Sequence, residues 1–578
     1  MSTVKNLRMD KAKKHIEDLA AANKTLSFAA TANLEVAIKQ TKKKVEMIAK
    51  ECRATNRKFR DREFDLYVDV YDCLYFENAE KFETSGIKRV SQIFEKPQFF
   101  IDGSEYNDIN QGAIGDCWFV AALAVITNIP SLLETLCVAR DEEVGVYGFI
   151  FFKDGDWVST VVDDQLFVNG VDEKKRPKLA FAKCPNENET WVPLIEKAYA
   201  KVHRDYEHIV GGFTGQGIED LTGGVYTLTY TADILDTERF WNEELIHVNK
   251  NTLFACYRWD DSTDAKGLID SHAYSIIRVE ECEGIKLLNI RNPWGETEWN
   301  GPWSDGSKEW TPERMKFLDH KFGDDGSFWM SYEDFLKQWT IVDKCKLFDA
   351  SWQVYSTWIH YNVVPKSNGK FILTIPEDSF TIIVLQQPDE RFFSSSSKYS
   401  YQLSFRIYEQ GCETYKFRSR CAVRMAPRSV NLEVKLPAGT YEIVPSIKRK
   451  NVEDEKTEGE NQEEKEKKRN KEVIESIKKK KERRIKNLST GIDENDESDI
   501  EEEKSDEKKK NEVWELSIGL RIYSQNRNFT LVGEEGEYPK KEEEVKKEED
   551  PEANTEATEE ATKKEKEGEG EEKKNEII

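Results

Sequence analysis

The stretch Gln111-Gly-Ala-Ile-Gly-Asp-Cys-Trp-Phe-Val-Ala-Ala122 decides how the rest of the chain is read. Glycines at 112 and 115 break any element that precedes it, and an uncharged run from Trp118 to Thr127 follows. Cys117 therefore stands at the start of an apolar helix, where the positive end of the helix dipole favours a thiolate. Gly112 and Gly115 let the backbone approach a ligand closely. Gln111 carries a side-chain amide that can donate to an oxyanion, and one such donor contributes about 10²–10³ in rate. A lone Cys before an apolar run is ordinarily a buried structural thiol, so the reading turns on what the rest of the chain supplies.

A thiolate nucleophile needs an imidazole to pair with it and to protonate the leaving amine. Of the seven His, His272 opens the strand-like run Ser271-His-Ala-Tyr-Ser-Ile-Ile277. Asn292 follows twenty residues later, in Arg291-Asn-Pro-Trp-Gly295 at the end of the next strand-like run. Two adjacent antiparallel strands would bring these side chains together. Asn292 can then accept from one ring nitrogen and leave the other facing sulfur, and Trp294 can shield the bond from water. His15, His203, His208, His247, His320 and His360 have no such setting and read as surface or core residues.

Composition bounds the alternatives. The chain has 578 residues, a formal net charge of −24 and 34% charged residues. Such acidity excludes a general nucleic-acid binder, which needs clustered Lys and Arg. The longest apolar run is about half a bilayer span. The N-terminal Met-Ser-Thr-Val-Lys-Asn-Leu-Arg lacks the apolar centre of a secretory signal. Ten Cys without a single Cys-x-x-Cys argue against zinc and against a disulfide framework. The expected setting is the reducing cytoplasm.

The patterns change along the chain. Residues 1–95 read as helical, with Leu34, Val36, Ala37 and Ile38, then Val45, Ile48 and Ala49, near helical spacing. Residues 96–345 mix Val192–Val202 as a helix with strand-like runs at 147–152, 157–162, 253–257, 273–279 and 285–290. This predicts an α+β body in two parts, joined in the glycine-rich stretch 211–224, near residues 211–230. Residues 346–532 predict an antiparallel β-sandwich, with short strands at 354–363, 371–375, 381–385, 401–408, 430–434 and 441–444 and a last strand at 513–524. Between the last two lies 448–510, with 21 acidic and 20 basic residues, which reads as a disordered loop insertion. Each doubling of such a loop costs only about 0.6 kcal/mol. Residues 533–578 read as a disordered acidic tail, with 19 acidic and 9 basic residues.

QGAIGDCWFVAA, SHAYSI and NIRNPWGETEWNGPWSD resemble the Cys, His and Asn boxes of the calpain family of papain-like cysteine proteases. WVPLIEKAYAKVHRDYEHIVGGFTGQGIEDLTGGV, DGSFWMSYEDF, CRATNRKFRDREFDL, PQFFIDG, LPAGTYEIVPS and ELSIGLRIYSQ resemble further family segments, so the likeness spans roughly 50–445 and 513–524. It implies a papain-like two-lobed protease core followed by a calpain-type β-sandwich. It implies Cys117 as nucleophile, His272 as general acid/base, Asn292 as the residue that orients it and Gln111 as oxyanion donor. Trp294 resembles the family tryptophan that wedges between the two subdomains without calcium. Ser271 stands where members commonly have Gly.

The resemblance also implies Ca²⁺ in the protease core, at sites that want hard oxygen ligands. The first would use the Ile101 and Gly103 carbonyls, Asp108 and Glu196. The second would use Glu298, Asp305, the Gly323 carbonyl and Asp325. Ser327 replaces a usual Glu there, and Tyr106 replaces an Arg that links the two sites. No EF-hand is legible, since Asp493–Asp499 lacks the turn Gly, so no penta-EF-hand small subunit is expected. Protein substrates are implied, and the sandwich resembles calpain domains that can contact phospholipid. Two other classes compete with a calcium-dependent endopeptidase making limited cuts. A non-catalytic scaffold or regulatory binding protein would be expected to have lost Cys, His or Asn. A transglutaminase usually has Asp as the third member.

Overall fold

His272 opens a strand in a sheet of six antiparallel strands. In spatial order they are Ser327–Ser331, Ile285–Arg291, His272–Cys282, Thr252–Arg258, Ile341–Lys346 and Val225–Tyr230. Thr252–Arg258 is buried at every position, as a central strand covered on both faces should be. The hairpin joining His272–Cys282 to Ile285–Arg291 turns through Glu283 and Gly284, both at positive φ. A two-residue turn with both central φ angles positive matches the right-handed twist of its strands. Ser275 pairs with Arg291 in that hairpin, so Asn292 leaves the sheet close to where His272 enters it.

The computed structural model describes residues 26–451 and 515–536, apart from 76–81, 83, 102, 130–131, 260–264, 350, 363–368, 390, 392–398, 423–427 and 527. These residues belong to one unit, Met1–Glu537; a second, Tyr538–Ile578, lies outside them. Helices and several antiparallel sheets mix along the chain, which makes the class α+β. Among the described residues no helix is long and apolar enough to cross a membrane.

The Cys117–Ile126 helix is apolar all round, and every residue after Cys117 is buried. A helix of that kind must sit inside the protein. The Phe119 ring stacks on Tyr199 of the Trp191–Val202 helix at 3.9 Å. On another side the Ser275 hydroxyl donates to the Ala121 carbonyl at 3.0 Å, which ties this helix to the strand that begins with His272. The small sheet of Cys137–Asp141, Val146–Lys153 and Asp156–Asp163 completes this part of the core.

Residues 353–534 form a four-stranded and a five-stranded antiparallel sheet. Ile359, Ile383 and Ile518 of the first meet Phe371, Leu403 and Ile443 of the second in one buried cluster. In the strand Glu515–Ser524, Ile518, Leu520 and Ile522 are fully buried in that cluster, and Arg521 and Tyr523 between and beyond them are buried as well, so the strand is covered on both faces. That strand is not the last. Thr530–Glu534 follows and pairs with Lys370–Thr374. Its exposed positions are Thr530, Val532 and Glu534, so an apolar residue faces outward and hides the alternation, as it can at the edge of a sheet.

Other boundaries shift as well. The expected insertion begins too early, since the strand Gly439–Asn451 runs through 448–451. Residues 452–510 of that stretch, and 537–578 of the expected tail, lie outside the described residues. Residues 1–95 are not uniformly helical. Leu34–Thr55 is a helix, ended by Asn56 in the left-handed region, whose N–H caps the Arg53 and Cys52 carbonyls. Beyond it come the short helices Val70–Leu74 and Val90–Ile93 and a strand, Gly86–Arg89, paired with Gln165–Val168. Leu26–Ser27 pairs with Phe348–Asp349. The expected helical character of 1–25 lies outside the described residues. The glycine-rich stretch is not only a turn: Thr214–Thr222 is a helix, and a Cβ on Gly215 would sit 2.0 Å from the Tyr226 ring. There glycine serves close packing.

Candidate active site

Cys117 is the first residue of its helix and is partly buried. Its sulfur accepts from the backbone N–H of Ala273, the residue after His272. The helix start and the strand start therefore meet. His272 is 4% exposed, and its Nε2 lies 2.8 Å from Asn292 Oδ1. The Asn292 amide nitrogen donates to the carbonyls of Glu296 and Thr297 at 2.9 and 3.0 Å. Those two acceptors settle which end of the carboxamide faces the ring, and Nδ1 of His272 is left for another partner. Trp294 covers the imidazole at 4.6 Å between ring centroids and remains 39% exposed. Its N–H also donates to Asn292 Oδ1 at 3.1 Å.

Burial sets the protonation states. It pushes the Cys117 thiol up to about 11, and the neighbouring Asp116 carboxylate adds to that. It pulls His272 down to about 4, against the opposing hydrogen bond to Asn292. Desolvation disfavours each charged form, so thiol and imidazole are both neutral in this arrangement. Gln111 places its amide nitrogen 2.7 Å from the Ile114 carbonyl, in the turn that leads to Cys117. The Gln111 N–H donates to the Pro293 carbonyl at 3.0 Å, which joins this turn to the Asn292 loop.

The residues expected to hold a cation divide into two groups. Glu298, Asp305, Gly323 and Asp325 come together. Glu298 Oε1 accepts from the Asp325 and Gly326 N–H groups at 3.1 and 3.0 Å, and Asp305 Oδ2 accepts from the Gly323 N–H at 2.8 Å. Burial, Asp305 and Asp325 together push Glu298 up to about 7. That uncompensated negative charge fits a hard divalent cation. Asp305 Oδ1 is already engaged, 2.9 Å from His320 Nε2.

The other set is not assembled as expected. Ile101 donates its N–H to Glu189 Oε1 at 3.0 Å, and Asp108 accepts from the Glu105 N–H at 2.7 Å near Gly103. Glu196 is elsewhere. It is buried in mid-helix, where the nearby Asp116 carboxylate helps to raise its pKa, and it accepts from the Ala182 N–H. Glu189, and not the expected Glu196, is the carboxylate that meets Ile101. The available signal was position: Glu189 lies in the loop two residues before the helix begins, whereas Glu196 is surrounded by apolar helical neighbours. Sequence reasoning also passed over Arg291, which is buried and whose charge is felt by Tyr106, Asp108 and Asp325. It stands between the two loops from which the Tyr106 position lacks a guanidinium.

A third group, His203, Asp220 and Asp389, has ligand atoms within 4.8 Å of one another. Arg428 reaches Asp220 at 2.7 Å and Asp389 at 3.3 Å, so a guanidinium already supplies the positive charge there.

Residues 59–346 match the family described as calpain family cysteine protease. Calpain-8 of Rattus norvegicus is 36% identical over 337 residues, covering 54% of this chain and 46% of that protein. The calpain-type cysteine protease ADL1 of Oryza sativa subsp. japonica is 36% identical over 330 residues, 53% of this chain and 15% of that protein. The calpain-1 catalytic subunit of Sus scrofa is 30% identical over 492 residues, 72% of this chain and 66% of that protein. The chain spans about half the length, or less, of the first two of these relatives.

Proposed function

The chain belongs to the calpain family of cysteine proteases, and on that footing we propose that it is a cytoplasmic, calcium-dependent cysteine endopeptidase that makes limited cuts in proteins. The observation that carries this reading is the 2.8 Å contact of His272 with Asn292 beside a cysteine at a helix start. In this reading 96–345 is a papain-like core of two subdomains joined near 211–230. Residues 346–534 are a calpain-type β-sandwich with 452–510 inserted between two of its strands, a surface of the kind that contacts phospholipid. Residues 1–95 precede the core and 535–578 follow the sandwich.

The reaction is acyl transfer. Nδ1 of His272 takes the Cys117 proton, and the sulfur attacks the scissile carbonyl. Donors at the turn, the Gln111 amide among them, stabilise the oxyanion. The imidazolium gives its proton to the leaving amine, and a thioester remains on Cys117. The imidazole then takes a proton from water, which attacks the thioester and frees the acid and the thiol. Asn292 keeps the ring in the tautomer this sequence needs.

Two neutral partners describe a resting state. Thiolate and imidazolium form only when each offsets the other's desolvation. Glu298, Asp305, the Gly323 carbonyl and Asp325 would hold one calcium, with Ile101, Gly103, Asp108 and Glu189 as the candidate second set. Bound there, calcium would supply further positive charge to these carboxylates. Purified full-length chain should hydrolyse casein with a rate that rises with free calcium. Cys117→Ala should abolish it. Equal rates in EGTA would remove the calcium requirement, and hydrolysis by Cys117→Ala would remove the protease assignment.

A further inference from the structure

Arg391 lies in the connection between the strands Ser379–Gln386 and Tyr399–Glu409 of the C-terminal sheets, yet its guanidinium lies over the indole of Trp118, 4.3 Å from the ring centroid. Trp118 is the residue after Cys117 and is fully buried. Its Nε1 donates to the Ile209 carbonyl at 2.9 Å. Gly212 and Gly217 approach the ring so closely that a methyl on either would meet it at 2.6 or 3.3 Å. A methyl on Gly212 would also stand 2.7 Å from the Arg391 guanidinium. The Gly211 N–H donates to the Gly115 carbonyl at 2.9 Å, so the 209–212 loop holds the cysteine turn at a second point.

The guanidinium is itself held. One Nη donates to Gln216 Oε1 at 2.6 Å, and the other lies 3.5 Å from Asp389 Oδ2. Asp389 also accepts from the Arg391 N–H at 3.1 Å, while its own N–H donates to Asp154 Oδ1 at 3.0 Å. A planar cation fixed at this many points cannot slide along the ring it covers. The attraction of a cation for an indole face strengthens when water is excluded, as it is here.

We propose that Arg391 is a positioning residue for Cys117, through which the C-terminal sheets fix the indole beside the nucleophile and hence the start of its helix. The inference rests on the protease reading above. It gives the C-terminal sheets a part in the chemistry without any of their atoms touching substrate.

The test compares full-length Arg391→Gln and Arg391→Lys with the unaltered chain, and uses Cys117→Ala as reference. Two rates are read well below the melting temperature: casein hydrolysis and alkylation of Cys117 by iodoacetamide, located by peptide mass mapping. Arg391→Gln should lower kcat and the alkylation rate by about tenfold, the order expected of a misplaced nucleophile, with KM changed less than about twofold. Arg391→Lys keeps the charge without the planar stack and should recover part of the loss. Unchanged kcat and alkylation in Arg391→Gln, with or without a lower melting temperature, would overturn the proposal. If Arg391→Gln does not fold, Gln216→Met removes the acceptor of its strongest bond and is read by the same two rates. Hydrolysis that survives in Cys117→Ala defeats the protease reading instead, and the alkylation rates still decide the role of Arg391.

Discussion

Asn292 faces His272 with its carbonyl oxygen and not its amide nitrogen, because the nitrogen is spent on the Glu296 and Thr297 carbonyls. Orientation of the His272 ring is thus decided two hydrogen bonds away from it. Asn292→Ala should lower kcat/KM by about ten- to a hundredfold, the worth of one hydrogen bond to a group that becomes charged. Steady-state hydrolysis of a casein peptide measures it. Asn292→Gln, whose longer arm cannot satisfy the same two carbonyls, should not restore the rate.

The neutral, buried His272 makes stability depend on pH. Its value falls from 6.5 to about 4 on folding, so the unfolded chain binds more protons between those limits. Stability is therefore lost as pH falls from 6.5 toward 4. The contribution is at most about 3 kcal/mol. Urea unfolding across this window should show a steeper loss for the unaltered chain than for His272→Gln.

Under the proposed function, calcium should raise the melting temperature of the full-length Cys117→Ala chain, a variant that takes any proteolysis out of the measurement. Occupancy at a hundred times the dissociation constant contributes about 2.7 kcal/mol. Glu298→Gln and Asp325→Asn should reduce the shift, because each removes a charge from the group around Gly323. Differential scanning calorimetry with and without EGTA reads the difference.

Arg521, 1% exposed in the strand Glu515–Ser524, pairs with Glu219 of the Thr214–Thr222 helix. Arg521→Met should destabilise the chain by about 3 kcal/mol, since it leaves a buried carboxylate short of a partner. Arg428, 3.4 Å from the same carboxylate, limits the loss. Adding Glu219→Leu should recover part of it, as measured by urea midpoint.

The sequence made the local elements legible where period and burial agree. The helix predicted at 192–202 is Trp191–Val202, and the run predicted at 285–290 is Ile285–Arg291. Cys117, His272 and Asn292 could be picked out because a nucleophile, a base and an orienting group must occur together, and their strand and helix ends are marked by Gly and Pro. Glu189 and Arg291 were not legible by that route. A carboxylate in a loop and an arginine ending a strand look like solvent-facing charges until the fold buries them. Arg391 is further removed still: it lies 273 residues from Trp118 in the sequence, and no periodicity links a loop of one sheet to an indole in another part of the molecule. The helix inside the glycine-rich stretch was missed because its glycines, which disfavour helix, are selected by the close approach of Tyr226, Trp118 and Ala122.

The strand Leu26–Ser27 and the residues after it behave as a strap. Leu26–Ser27 pairs with Phe348–Asp349, the Ala29 N–H reaches the Thr222 carbonyl, the Trp157 indole reaches the Ala29 carbonyl and the Val354 N–H reaches the Ala30 carbonyl. One short run of chain thus buckles the cysteine half to the beginning of the C-terminal sheets. A nick within 26–33 would undo several anchorages at once. A single clip there would loosen both attachments together, rather than merely free a terminal segment.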